Sequence, residues 1–322
     1  MMMSRNAEAL FWIGRYVERA ENHARLIDVH YHIQTDGDYG EEGRKWLRLV
    51  SALGAQDAYA ERYERLTEEG VLTFLTLDRD HGNSISSCVH QARGNLRQLR
   101  QKLPSELWDA LNGFDLWLGE QGVKDILDGP HQFYRQVKDW CAIFLGTEES
   151  VMIREEEWRL LKCGRFLERA ENTVRILRSL DGVLGGMLEE ESGTPYPMMQ
   201  GILKSVSGYQ AFRRYYADEV TVPAIFTFLL TQNTFPRSVR YSFHRLEDHL
   251  AGLVQEAPAK GAGQERAIRY AGKIRAELDY LDEEQPLEKD RSSEQLDYLT
   301  DACLKLGRMI EGGFFRLEGA VG

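Results

Sequence analysis

One stretch of this chain occurs twice, and that recurrence restricts the fold more than any other feature. Residues 10–27 read Leu-Phe-Trp-Ile-Gly-Arg-Tyr-Val-Glu-Arg-Ala-Glu-Asn-His-Ala-Arg-Leu-Ile, and residues 160–177 read Leu-Leu-Lys-Cys-Gly-Arg-Phe-Leu-Glu-Arg-Ala-Glu-Asn-Thr-Val-Arg-Ile-Leu. At a constant offset of 150, Gly14, Arg15, Glu18, Arg19, Ala20, Glu21, Asn22 and Arg25 match Gly164, Arg165, Glu168, Arg169, Ala170, Glu171, Asn172 and Arg175. Those are 8 of the 17 positions from 11 to 27, where ordinary residue usage gives roughly one by chance. A weaker echo follows in the same order: Phe74, Leu75, Ser84, His90 and Leu96 recur 154 residues later as Phe228, Leu229, Ser238, His244 and Leu250. Two tandem units, 1–146 and 147–322, are expected, packed as one body.

Each copy has the spacing of a helix. Leu10, Ile13, Val17, Ala20, Ala24 and Ile27 step by three and four residues, as do Leu160, Cys163, Leu167, Ala170, Val174 and Leu177, which places each set on one stripe. Beside the first stripe, Gly14, Glu18, Glu21 and Arg25 form a polar strip at the edge of the core. Glu21 and Arg25 are four apart with the acid first, and Arg15 and Glu18, three apart, can also meet. A glycine inside a helix costs about 1 kcal/mol relative to alanine, so its recurrence as Gly164 predicts a close helix–helix crossing.

Two readings of the charges stay open. In one, acids and bases neutralise each other at a packing boundary, because an unpaired buried carboxylate is costly. In the other, the copies face each other across a pseudo-twofold axis. Arg15, Glu18, Glu21, Arg25, Arg165, Glu168, Glu171 and Arg175 then make a shared polar binding site, with Glu18 and Glu168 converging.

Along the chain, a first helix is expected from near Ser4 or Asn6 to about Ile33, ahead of loop residues Thr35 to Gly40. Helices follow over Glu41–Leu53, Tyr59–Leu66, a Thr67-capped segment through Leu77, Ser84–Leu103, from Pro104-Ser105 to Leu118, and then up to Gly146. In the second unit the repeated helix reaches about Leu188, with Gly182, Gly185 and Gly186 at its end. Glu189–Pro197 and Ala257–Gly263 read as loops, flanking helices at Met198–Tyr216, from Pro223, and from Pro236-Arg237-Ser238 to Gln255. Gln264–Leu281 and Ser292–Leu317 close the chain. No stretch alternates like a strand, so the expected fold is all-α.

Several function classes are disfavoured. A formal net charge of −11 argues against general nucleic-acid binding, which depends on basic surface. No run of about 18 apolar residues exists to span a membrane, and Met-Met-Met-Ser-Arg-Asn lacks the apolar core of a signal peptide. Cys88, Cys141, Cys163 and Cys303 have no paired spacing and read as free thiols of a reducing cytoplasm. Glu18-x-x-Glu21 and Glu168-x-x-Glu171 invite a di-metal reading, but the Glu-x-x-His partner is absent, since three residues beyond Glu21 stands Ala24. Neither a metal nor a cofactor is expected; no phosphate-cradling glycine loop exists. His90 and His244, at corresponding positions, lack an oriented partner for acid–base work. The basic clusters Arg97/Arg100/Lys102 and Arg213/Arg214 could each dock a phosphate or an acidic partner, with a solvated helix face as the default reading.

The motifs as they stand resemble a known family. Ser4-Arg5-Asn6-Ala7-Glu8, Phe11-Trp12-Ile13-Gly14-Arg15-Tyr16 and Glu18-Arg19-Ala20-Glu21-Asn22 strongly resemble the start of the bacterial alpha-E family, named for its helical content and Glu-Arg motif. Trp158, Gly164 to Asn172 and Pro236-Arg237-Ser238 extend the likeness over nearly the whole chain. Before Ser84 this chain has Gly82-Asn83 where the family tends to carry Asn-Pro. The resemblance implies association with circularly permuted ATP-grasp-type ligases, and often with transglutaminase-like proteins, in amide-bond formation or protein modification. It supplies no catalytic residue. Three readings follow: a partner that binds such a ligase or its peptide substrate, a stand-alone helical enzyme using the duplicated carboxylates, and a pure scaffold.

Overall fold

The two repeated stretches lie on the longest helices of the molecule. The computed structural model describes residues 4–33, 42–187, 196–217, 219–256, 261–281 and 289–315, which are all-α with no strand among them. α1 (Ser4–Ile33) leads to α2 (Glu42–Ala52), α3 (Gln56–Ala60), α4 (Glu68–Leu72), α5 (Ile85–Gln98), α6 (Ser105–Gly119), α7 (Val123–Asp128) and α8 (Pro130–Val151). Then come α9 (Glu156–Met187), α10 (Tyr196–Ser205), α11 (Tyr209–Tyr216), α12 (Val222–Thr231), α13 (Val239–Glu256), α14 (Ala262–Asp279) and α15 (Lys289–Ile310). π-Helical turns at Thr73–Leu77 and Glu311–Phe315 prolong α4 and α15.

Every residue of the two predicted apolar stripes is buried, and each large aliphatic side chain so placed contributes about 1.5–3 kcal/mol. α1 packs on α5 and α8, with α6 against both; α9 packs on α13 and α15, with α14 against both. The two sets meet mainly through α1 and α9 and share one apolar core.

Local chemistry recurs as well. Thr67 and Ser84 cap α4 and α5, their hydroxyls accepting from Gly70 N (3.1 Å) and Ser87 N (3.0 Å). Thr221 and Ser238 cap α12 and α13 in the same way, accepting from Ala224 N (3.4 Å) and Tyr241 N (3.0 Å). Each satisfies one of the orphan donors at a helix start. Phe74 stacks on His81 at 4.0 Å and Phe228 on Phe235 at 4.8 Å. All four correspondences have the 154-residue offset.

Some boundaries differ from the sequence reading. The helix expected over Tyr59–Leu66 is the shorter Gln56–Ala60, and α8 runs through Gly146 to Val151. Gly182, Gly185 and Gly186 fall in the last two turns of α9, as expected. The single helix expected over Met198–Tyr216 is broken at Ser207, whose φ of 53° puts it in the left-handed region. There Ser207 N donates to Lys204 O (2.9 Å) and Gly208 N to Leu203 O (2.7 Å), closing α10 with a Schellman motif. The loops expected over Thr35–Gly40, most of Glu189–Pro197 and Ala257–Lys260 lie outside the described residues. No helix among the described residues is long and apolar enough to cross a membrane.

Candidate functional site

α1 and α9 cross where neither carries a side chain. A Cβ added to Gly14 would stand 2.0 Å from the carbonyl oxygen of Leu161, and one added to Gly164 would stand 1.9 Å from that of Phe11. The contact is reciprocal, because Phe11 and Leu161 correspond at the 150-residue offset. This approach brings the charged residues of one helix within reach of the other.

The charges then interlock. Glu18 accepts from Arg169 Nε at 2.8 Å and Nη2 at 2.7 Å, and Glu168 accepts from Arg19 Nε and Nη2, both at 2.8 Å. Glu18 and Arg19 are adjacent and project about 100° apart on their helix, so each finds its planar, two-pronged partner across the crossing. Arg15 Nε donates to Glu168 at 2.6 Å, whereas Arg165 Nε approaches Glu18 only to 3.4 Å. The expected contact between Arg15 and Glu18 is not made. Arg15 instead reaches across to Glu168 and, through Nη2, to Glu171 at 2.6 Å. The expected Glu21–Arg25 pair forms at 2.5 Å.

Two turns contribute the remaining partners. Arg237, just before α13, donates to Glu18 at 3.1 Å, Glu21 at 2.7 Å and Asn22 at 2.8 Å. Its counterpart before α5 is Asn83, which accepts from Arg19 at 2.6 Å. Glu171 therefore has no equivalent of Arg237.

The titration behaviour follows from these contacts. Burial alone would push Glu18 and Glu168 up, but Arg169 and Arg237 on one, and Arg15 and Arg19 on the other, hold both far below the usual carboxylate range. Burial also pushes Glu21 up, yet Arg237, Arg25 and Arg169 together outweigh it and keep it low. For Glu171 burial wins over the pull of Arg15, and the carboxyl is held above its ordinary value. His23, buried near Arg175 and Arg19, is pushed down to about 3.

Of the eight residues singled out from sequence, Arg15, Glu18, Glu21, Arg165, Glu168 and Glu171 gather at this seam. Arg25 joins through Glu21 and also donates to Ser207 Oγ at 2.5 Å. Arg175 forms no ion pair within 4 Å among the described residues and lends only its longer-range field to Glu168 and Glu171. Arg19, Arg169, Asn83 and Arg237 were not in that set. The first two were visible as identities in the repeat, and Arg237 sits in the Pro-Arg-Ser motif. His90 lies 3.3 Å from Asp115 and His244 3.6 Å from Asp248, on half-exposed surface. Among the described residues no group of three or more His, Cys, Asp or Glu is placed to hold a metal. All four cysteines are buried free thiols, and burial pushes each thiol up, Cys88 to about 12.

The chain matches, over residues 2–315, the sequence profile of a family described as "a predicted alpha-helical domain with a conserved ER motif". It belongs to the alpha-E family. The Glu-Arg pairs of its repeated stretches, Glu18-Arg19 and Glu168-Arg169, are the residues that exchange partners across the α1–α9 crossing. Relatives at 24% identity over 267 residues are uncharacterized proteins of Mycobacterium bovis and Mycobacterium tuberculosis, the match covering 76% of this chain and 29% of theirs. The chain thus spans under a third of the length of these relatives. No solved structure matches.

Proposed function

We propose that this alpha-E chain is an accessory partner of an ATP-grasp-type amide or peptide ligase, binding the ligase or its peptide substrate, and that its duplicated Glu/Arg set joins the two halves rather than performing acid–base chemistry. One observation carries the second part: every oxygen of Glu18 and Glu168 accepts from a guanidinium. A general base needs a lone pair facing substrate and a pKa near the working pH. These two carboxylates have neither, which supports the partner reading over a stand-alone enzyme built on the motif. The ligase connection rests on family resemblance. In the mycobacterial relatives the matched region is one part of a much longer chain.

The halves, 1–146 and 147–322, are read as tandem copies of one ancestral unit. Supporting this are the reciprocal glycine contacts, the exchanged Glu–Arg pairs, the caps at Thr67/Thr221 and Ser84/Ser238, and the like neighbour relations of α1 and α9. Transglutaminase-like proteins are a further partner class on the same resemblance.

Co-purification with a circularly permuted ATP-grasp-type ligase from the same organism, followed by assay of the complex for amide formation, tests the proposal. Association, with amide formation that depends on this chain, is the expected result. Failure to associate, together with loss of pathway function in a Glu18→Gln variant that melts like the parent, would overturn it in favour of an enzyme.

A further inference from the structure

An open-sided cavity of about 230 Å³ lies beside the seam in the second half, lined among others by Trp158, Lys162, Arg165, Arg245 and His249, with Glu149 its one acid. Most of its positive charge is already committed. Lys162 Nζ lies 2.8 Å from Glu148 and also contacts Glu149. Arg245 donates to Asp248 at 3.2 Å, and Arg169, on the cavity wall, holds Glu18.

Arg165 differs. Its buried Nε has no hydrogen-bond acceptor, and its nearest acid is Glu18 at 3.4 Å. The reason lies in the partners across the crossing. Arg15, its counterpart, binds Glu168 and Glu171. The corresponding acids for Arg165 are Glu18 and Glu21, and Arg237 occupies both. Asn83 does not do this on the other side, so of the corresponding pair Arg15 and Arg165 it is Arg165, beside the cavity, that lacks a hydrogen-bonded acid.

Other polar atoms on the cavity wall are unsatisfied too. Trp158 Nε1 and both ring nitrogens of His249 have no hydrogen-bond partner, although Trp158 and His249 are only 9% and 2% exposed. His249 is fixed edge-on to Trp158, with ring centres 4.9 Å apart, and stacked on Phe166 at 5.7 Å. Burial, then Arg245 and Lys162, push it down to about 3, so the imidazole is neutral and presents one donor and one acceptor. Buried polar groups are nearly always paired, and an unpaired cluster on a cavity wall marks a place built for a ligand. At the repeat offsets the first half has Trp12 for Lys162, Gln91 for Arg245 and Asn95 for His249, with Gln91 accepting from Tyr16 at 2.6 Å. The cluster is therefore not a by-product of the repeat.

We propose that this cavity binds a small organic anion through a carboxylate or phosphate group, with Arg165 as the charged anchor and Trp158 Nε1 and the His249 N–H as further donors. A guanidinium matches either oxyanion in a two-pronged geometry. The neutral imidazole leaves one nitrogen to accept from a donor group on the same ligand.

Isothermal titration of the full chain with inorganic phosphate and, separately, N-acetylglycine tests this and tells the two head groups apart. The unmodified protein is expected to bind one of them in a single-site isotherm. Arg165→Gln should weaken that binding at least roughly tenfold, the loss of one charge-assisted pair. His249→Phe, which keeps the stack between Trp158 and Phe166 but removes the N–H, should weaken it several-fold with an unchanged melting midpoint. If Arg165→Gln does not fold, His249→Phe decides alone. Binding of neither probe by the unmodified protein, or unchanged affinity in the folded variants, would overturn the assignment.

Discussion

On one side of the α1–α9 seam Glu21 receives guanidinium groups from both Arg237 and Arg25, while on the other Glu171 receives Arg15 alone among the described residues. Identical motif residues are thereby held in opposite directions, Glu21 below and Glu171 above the ordinary carboxylate value. The difference originates partly outside the motif, at Asn83 and Arg237 on the turns before α5 and α13, and partly within it, where Arg25 pairs with Glu21 but, among the described residues, Arg175 forms no ion pair with Glu171. A repeated motif can thus fix a common interlock while residues from surrounding turns give its two sides separate properties. One side spends Arg237 on Glu18 and Glu21 and leaves Arg165 unspent; the other engages Arg15 fully.

The largest effect is expected where the sides are alike. Glu18→Gln and Glu168→Gln should each destabilise by about 3–5 kcal/mol in urea unfolding at neutral pH, because each leaves buried guanidiniums without their acid. A much smaller loss on one side only would break the equivalence. Arg237→Asn, which copies the other side, should cost about 2–3 kcal/mol through lost hydrogen bonds to charged groups. It should also raise the Glu21 pKa towards that of Glu171, measured by NMR titration of the side-chain carboxyl. Gly14→Ala and Gly164→Ala should cost about 1–3 kcal/mol each by forcing the helices apart, and by similar amounts, since both face a backbone carbonyl.

The smallest effect separates the sides most cleanly. Glu21 has a lowered folded pKa, so its stabilisation is present above the ordinary value of 4.5 and is lost as pH falls through the folded value. Glu171 has a raised folded pKa, so its contribution is greatest below 4.5 and is lost as pH rises through the folded value. Glu21→Gln should therefore cost about 1 kcal/mol at pH 7, with the gap to the parent closing in acid. Glu171→Gln should stay within about 0.5 kcal/mol at pH 7. Urea midpoints across pH 3–7 (roughly the span over which carboxylates titrate) read both.

Much of this was legible in the chain. The apolar stripes at three- and four-residue spacing predict α1 and α9, and the recurrence of Gly14 as Gly164 predicts their close crossing. Both are local signals, carried by periodicity and by the absence of a Cβ. The pairing of the charges was not legible. Spacing along one helix allows Arg15 to meet Glu18, but the crossing offers Arg15 two acids on α9, and the tertiary contact wins. Arg237 lies more than 200 residues from Glu18 in the chain, so no local rule joins them. The break at Ser207 escaped because the left-handed position, which usually takes glycine, holds serine here, with Gly208 one place later.

The central claim is that the Glu-Arg pairs of the two copies hold one another across the crossing. A double-mutant cycle between Glu18→Gln and Arg169→Gln in urea unfolding measures it most directly. The interlock predicts strong non-additivity, a coupling of about 1–3 kcal/mol, with the double variant more stable than the sum of single losses allows. Additive losses, within about 0.3 kcal/mol, would contradict it.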